Sequence, residues 1–261
     1  MKIARLKKIY NSKFALLFLL GLICLTNLSC GLEVYVLMPE PVATVTKEPN
    51  IDSTDTGEKY FEFVTNESSE EYAGLGDFKY RGTEVYYRIY SSSSILSLST
   101  QVSTLKSYAS DSTKSANSYD KLISYGYKAL ASSNYNDEPL IKASADSSNQ
   151  RVYIRLTDYY NQQEYSARIT VNGNYLGNSS SVTVPLRNGS DGYTFNFGRS
   201  GTYDKVPISG DSDVNYSSND ENTWYVAMFA VALGRDSTFT SYHSNIQYLG
   251  AVCIDANNEN N

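Results

Sequence analysis

At 261 residues, with 22 basic and 28 acidic side chains and a net charge of −6, the chain can bury one substantial core. Its acidic balance repels phosphate backbones, so nucleic acid is not an expected partner. Three cysteines and one histidine leave little material for a disulfide framework, a zinc site of the usual kind or a histidine-based triad.

The first element is a targeting segment. Lys2, Arg5, Lys7, Lys8 and Lys13 precede an apolar run over residues 14–28 that ends at Ser29-Cys30. A spanning helix needs about 20 apolar residues with suitable flanks, whereas this run is shorter, follows a basic region and stops at a small residue. It reads as a secretion signal that is removed. Leu28-Ser29-Cys30 resembles the end of a bacterial lipoprotein lipobox in the relaxed form of spirochaetal lipoproteins. Asn27 and Leu28 stand where the strict pattern has a branched apolar residue and a small one, and the rival Cys24 follows Leu22 and Ile23, neither of them small. The resemblance implies cleavage before Cys30, a diacylglyceryl group on its thiol and a further acyl chain, such as palmitate, on its freed amine. Each buried methylene contributes about 0.8 kcal/mol, so two or more chains make release negligible. The membrane is then a partner through lipid on Cys30, and Gly31, where aspartate often signals inner-membrane retention, implies the outer membrane. Loss of residues 1–29 removes five cations and no acid, taking the net charge from −6 to −11.

Residues 30–57 read as a lipidated tether. An extended piece over residues 32–37 is followed by Pro39, Pro41 and Pro49, which block helix and central-strand roles, and by a polar stretch over residues 52–57. From Glu58 to Ala256 the dominant period is two. Val85, Tyr87 and Ile89 alternate with Glu84, Tyr86 and Arg88; Val152, Ile154 and Leu156 with Tyr153 and Arg155; Ala167, Ile169 and Val171 with Arg168 and Thr170. These are half-buried strands. The β rhythm breaks over about residues 95–126. Ile95, Leu98, Val102 and Leu105, then Ala116, Tyr119, Leu122 and Ile123, fall at helical spacing, with Asp111 or Ser112 as a cap and Gly126 as a stop.

Asn172-Gly173 suits a tight hairpin turn, and residues 188–192 form a second turn before a strand over Tyr193-Thr194-Phe195-Asn196-Phe197. Residues 224–233 are apolar on both faces, as in a covered central strand, and a long strand over residues 245–254 follows. Residues 257–261 read as a frayed tail. The order resembles an elaborated immunoglobulin or fibronectin type III sandwich, residues 82–90 resembling the third strand of the latter, with a jelly roll as the alternative. The expected class is therefore mainly β, an antiparallel immunoglobulin-like β-sandwich with a short two-helix insertion.

Candidate chemistry is sparse. His243 falls in a loop between the last two strands and reads as exposed. Cys253, within an apolar strand, reads as a small buried residue. Asp211, Asp213 and Asn215 match positions one, three and five of a calcium loop, but Tyr216 fills its glycine position and Asn222 its closing glutamate. They are weak calcium candidates beside the reading of a solvated loop. Twenty-four tyrosines are the other excess; Tyr86, Tyr90 and Tyr153 could face outward and stack on sugar rings or anchor a partner. No catalytic set, metal site or cofactor is assigned. The expectation is a lipid-anchored, non-catalytic binding or structural module engaging an envelope or host protein or a glycan. A carbohydrate-binding sandwich is the alternative, and a carboxylate-based hydrolase stands behind both.

Overall fold

The computed structural model describes residues 38–48, 59–67, 77–133, 138–157, 167–177, 182–188, 192–197, 204–216 and 222–256. The signal segment, Cys30, residues 32–37 and 52–57, Tyr159-Tyr160 and the tail 257–261 lie outside them. The described chain is mainly β, with antiparallel sheets and two short helices. Among the described residues no helix is long and apolar enough to cross a membrane.

One sheet has the order β1 (Val42–Val45), β2 (Tyr60–Val64), β7 (Arg151–Arg155), β8 (Arg168–Val171) and β9 (Asn174–Tyr175). The second is built on β3 (Lys79–Ser91) and β12 (Thr223–Arg235), paired antiparallel along their length. β4 (Lys128–Ala129), β6 (Ile141–Lys142) and β11 (Val214–Asn215) flank β3, the last in parallel. β13 (Ser241–His243) and β14 (Gln247–Asp255) flank β12. A minor ribbon joins β5 (Ala131–Ser132) to β10 (Pro185–Leu186).

The period of two builds the layers. Phe61, Phe63, Val152, Ile154 and Ile169 of the first sheet meet Val85, Tyr87, Ile89, Trp224, Val226 and Met228 of the second in one core. The opposite face of the second sheet, with Tyr86, Tyr90, Tyr225, Phe229 and Val231, packs under α1 (Ile95–Ser110) and α2 (Ser118–Ser124) through Leu98, Val102, Leu105 and Leu122. Burying each such side chain stabilises by about 1.5–3 kcal/mol, and this explains why β12 is apolar on both faces.

Residues 42–47 lie along the domain: β1 pairs with β2, and the Lys47 N–H donates to the Leu249 carbonyl at 3.1 Å while the Lys47 carbonyl accepts from the Ala251 N–H at 2.8 Å. Proline excludes helix, but it leaves the next residues free to join an edge. Several expectations need correction. Tyr86 and Tyr90 face inward, because the helices cover the side of β3 that simple alternation would leave open. Residues 193–197 are not a strand, although Phe195 and Phe197 are fully buried; Asp204 accepts from the Thr194 hydroxyl and from Asn196 Nδ2, holding the segment without a ladder. Asp111 does not start a helix. It ends α1, and its carboxylate accepts from the Thr113 N–H and from Lys114. The Asn172-Gly173 turn is present, with φ of 51° and 80°.

The second sheet is phased by a bulge. β14 slips one residue against β12 between Met228 and Phe229, so Tyr248 and Ala251 share the helix side while Leu249 and Val252 enter the inter-sheet core. The slip places Gly250 at φ 118° directly under the Lys47 backbone, where a Cβ would overlap main-chain atoms. Gly250→Ala is therefore expected to destabilise by about 2 kcal/mol or more, read as a lower urea midpoint at unchanged slope.

Candidate functional site

The outer face of the first sheet presents a tyrosine row. Tyr153 pairs across the ladder with Thr170, and Thr170 with Tyr175, so these three side chains stand abreast on β7, β8 and β9. Arg168 lies in the neighbouring row opposite Arg155, which itself faces Tyr60. The Tyr60 and Tyr153 rings stack with centroids 5.0 Å apart. Arg155 sits 5.5 Å from the Tyr153 ring and 5.6 Å from that of Tyr60, and donates to the Tyr153 hydroxyl. Arg168 lies 5.8 Å from the Tyr153 ring, and Lys47 Nζ 4.0 Å over that of Tyr60.

Tyr153, Arg168, Thr170, Gly173 and Tyr175 enclose a shallow depression of about 490 Å³. Its walls offer two aromatic faces, phenol and threonine hydroxyls and a guanidinium. Burial pushes the Tyr153 phenol up, and Arg155 and Arg168 hold it partly back, so it remains a neutral donor and acceptor. Of the three tyrosines expected to face outward, only Tyr153 is brought here. Tyr60 and Tyr175 were not singled out: Tyr60 precedes Phe61 in a short strand, and Tyr175 follows a turn after which its facing cannot be counted.

A second cluster surrounds Glu84 on β3. The Tyr86 hydroxyl donates to Glu84 and lies 3.1 Å from that of Tyr119, whose ring stacks on His243 at 3.6 Å. His243 is thus half-buried on β13 rather than exposed in a loop; burial lowers its pKa, against the pull of Asp120 and Glu138. Burial, reinforced by Glu138 and opposed by Tyr86, pushes the Glu84 carboxyl up to about 7. The cluster joins a carboxyl that is protonated near neutrality to two phenols and an imidazole.

The calcium candidates fall in a third. Arg187, 3% exposed, donates from Nη2 to Asp213 Oδ1 at 2.9 Å and to Asp211 Oδ2 at 2.6 Å, and from Nε to Asp213 Oδ2 at 2.9 Å. The Tyr87 hydroxyl donates to Asp213 at 2.6 Å and accepts from the Asn188 N–H at 2.7 Å. Burial works against the Arg187 charge, and Asp213 and then Asp211 more than offset it. Asn215 instead sits on β11, paired with Tyr90. The spaced oxygens of Asp211 and Asp213 therefore hold a guanidinium. Cys253 is buried on β14, and Cys30 lies outside the described residues.

Two outcomes follow. Arg187→Met leaves two carboxylates facing each other and is expected to destabilise by about 3–5 kcal/mol, measured by denaturant unfolding at neutral pH. Glu84 has a folded pKa above the unfolded one, so its stabilising protonated form is fully present below about pH 4.5 and is lost as pH rises through about 7. The gain of Glu84→Gln over the wild type should grow as pH rises through that window, reaching roughly 2–3 kcal/mol at pH 8 from little at pH 4. Parallel pH profiles for the two proteins would show that Glu84 is not the titrating group.

No protein-family model matches the chain, and neither does any curated protein or solved structure.

Proposed function

We propose that this chain is a lipoprotein of the cell envelope, cleaved before Cys30 and anchored there to the outer membrane, whose folded domain is a non-catalytic module that binds a carbohydrate on the outer face of its first sheet. The row Tyr153–Thr170–Tyr175 carries the reading. A tyrosine ring offers an apolar plane to a sugar ring and a hydroxyl to its substituents, and Arg168 and Thr170 add hydrogen-bonding groups between the two planes. The depression falls within the roughly 300–1,000 Å³ typical of small-ligand sites. A peptide added as a strand needs a sheet edge with free main-chain groups, whereas these groups project from a sheet face. The lipobox-like Leu28-Ser29-Cys30 supports the anchor, and Gly31 supports the outer membrane. Two antiparallel sheets sharing one core support an immunoglobulin-like sandwich as the scaffold, elaborated by α1, α2 and the parallel β11.

Glu84 with Glu138 is the carboxylate pair a hydrolase reading would use. Glu84 is buried in the core under the helices and accepts from the Tyr86 hydroxyl, so it does not stand beside an open cleft where a glycosidic bond could reach two carboxyls.

A glycan array with the wild-type domain is expected to show retained sugars, with affinity falling about tenfold or more in Tyr153→Ala and in Tyr175→Ala. Capture of a polypeptide with no glycan retained, or equal retention by both variants, would overturn the sugar reading. Intact mass and detergent partitioning of the native protein beside Cys30→Ala test the anchor independently: the acyl mass and the detergent phase should both be lost.

A further inference from the structure

The hairpin joining β12 to β13 has an unusual tip. Residues 236–240 form its loop, and Phe239 there is 77% exposed at φ 67°, a conformation that a bulky residue rarely adopts. Asp236 braces the loop around this residue. Asp236 Oδ1 accepts from the Thr238 N–H, the Thr238 hydroxyl and the Thr240 N–H at 2.8–2.9 Å, and Oδ2 accepts from the Tyr242 hydroxyl at 2.9 Å. These hydrogen bonds hold the Asp236 carboxyl below its ordinary range. A ring kept in solvent on a strained, fully bonded loop has no packing role in the domain; such strain persists where a function needs it.

The anchor enters the domain beside this loop. Met38, the first described residue, is 2% exposed, and its Sδ would lie 2.8 Å from a Cβ at Gly234. Phe78 packs on the same glycine and meets the Tyr242 ring edge-on at 5.9 Å. A continuous path of contacts thus runs from Met38 through Phe78 and Tyr242 to Asp236. Cys30 is eight residues before Met38, so its Cα, which would sit at the headgroup level, can lie no more than about 28 Å from that of Met38 even if the intervening chain is fully extended. β3, which pairs with β12 from Tyr80 opposite Gly234 to Ser91 opposite Trp224, has 13 residues and runs about 40 Å. The anchor cannot reach past its far end, where Leu96 of α1 is exposed. The hairpin tip continues the near end.

The near end also carries cations. Lys79 pairs with Arg235 at the base of the hairpin, and Lys79 and Arg81 are exposed. Acids stand among them too: Asp77, exposed; Asp236, engaged as described; and Glu67, which accepts from the Ser144 N–H next to Ala143, whose own N–H donates to the Arg81 carbonyl. An exposed aromatic ring at the tip of a hairpin whose base carries Lys79 and Arg235 suits the boundary between phosphate headgroups and acyl chains.

We infer that Phe239 is a second membrane contact: the hairpin tip inserts its ring into the bilayer that holds the Cys30 lipid, with Lys79, Arg81 and Arg235 against the headgroup phosphates. This rests on the lipid anchor proposed above. It fixes which end of the domain faces the membrane, a property that a lipid on Cys30 alone does not supply.

The test uses full-length lipidated protein in vesicles of phosphatidylcholine and phosphatidylglycerol with brominated acyl chains. Phe239→Trp and Leu96→Trp are compared with the wild type, whose Trp224 is 1% exposed and sets the background. A melting temperature near that of the wild type establishes that each variant is folded. About half or more of the added emission should be quenched in Phe239→Trp and little in Leu96→Trp. An indole at position 239 that stays unquenched in protein that floats with the vesicles and carries the acyl mass overturns the insertion and leaves the anchor standing. Equal quenching at both positions overturns it as well, since the domain would then have no fixed orientation. Protein that stays in solution with an unmodified mass overturns the anchor and this inference together.

Discussion

β12 has thirteen residues, of which the middle eleven are buried, so both of its faces must be covered by something other than water. The first sheet covers one through Phe61, Phe63 and Ile154, and α1 and α2 cover the other through Leu98, Leu105 and Leu122. β3, paired with it along its length apart from one bulge at Arg81, inherits the same condition. Side chains of β3 that alternate away from the inter-sheet core therefore enter a second core, and polar groups among them must find partners there. Glu84 with Tyr86 and Glu138 is the result on the helix side; Tyr87 with Asp213 and Arg187 is the result on the sheet side. Neither cluster is open to a ligand in the way the first sheet's outer face is.

This division explains why the chemistry lies where it does. The first sheet is covered once, and its outer face carries arginine, tyrosine and threonine that pack on one another, Arg155 lying buried against the Tyr60 and Tyr153 rings. Arg187 is almost fully buried too, and it is tolerated because two carboxylates and well-aligned hydrogen bonds surround it. A protein with an excess of acids thus spends two of them internally on one guanidinium. The spacing Asp211-x-Asp213 that a cation loop requires is equally the spacing that brackets a guanidinium, and the partner that decides between them comes from another part of the chain.

Much of the layer structure was legible because it depends on near neighbours. The alternation in Val85-Tyr86-Tyr87-Arg88-Ile89, the apolar run ending at Leu233, the helical spacing of Leu98, Val102 and Leu105, and Asn172-Gly173 all encode local geometry, and each is found in the fold. What could not be read depends on long-range partners. Tyr86 and Tyr90 look outward until a helix closes over them. Lys47 joins β14 only because the bulge at Gly250 admits its backbone. Tyr175 joins Tyr153 only through the register of two hairpins. At the candidate site Tyr153 alone is legible in the sequence, and Phe239 carries no signal at all, since a positive φ at phenylalanine is a property of the Asp236 loop and not of the residue.

The two surfaces left for function are different parts of the same fold. The tyrosine row lies on a broad face, parallel to the layers, whereas Phe239 lies at the end of a strand, where the layers stop. A contact at the strand end does not cover a sheet face, so the domain can rest on a bilayer through its hairpin and still present Tyr153 and Tyr175 to a ligand. The proposed anchor is compatible with the same separation: seven residues stand between Cys30 and Met38, and residues 42–45, paired as β1 along the edge of the first sheet, carry the chain on to the sheet that holds the tyrosine row. The proposed anchor and the proposed ligand face are thereby connected through one short stretch of backbone without sharing a surface.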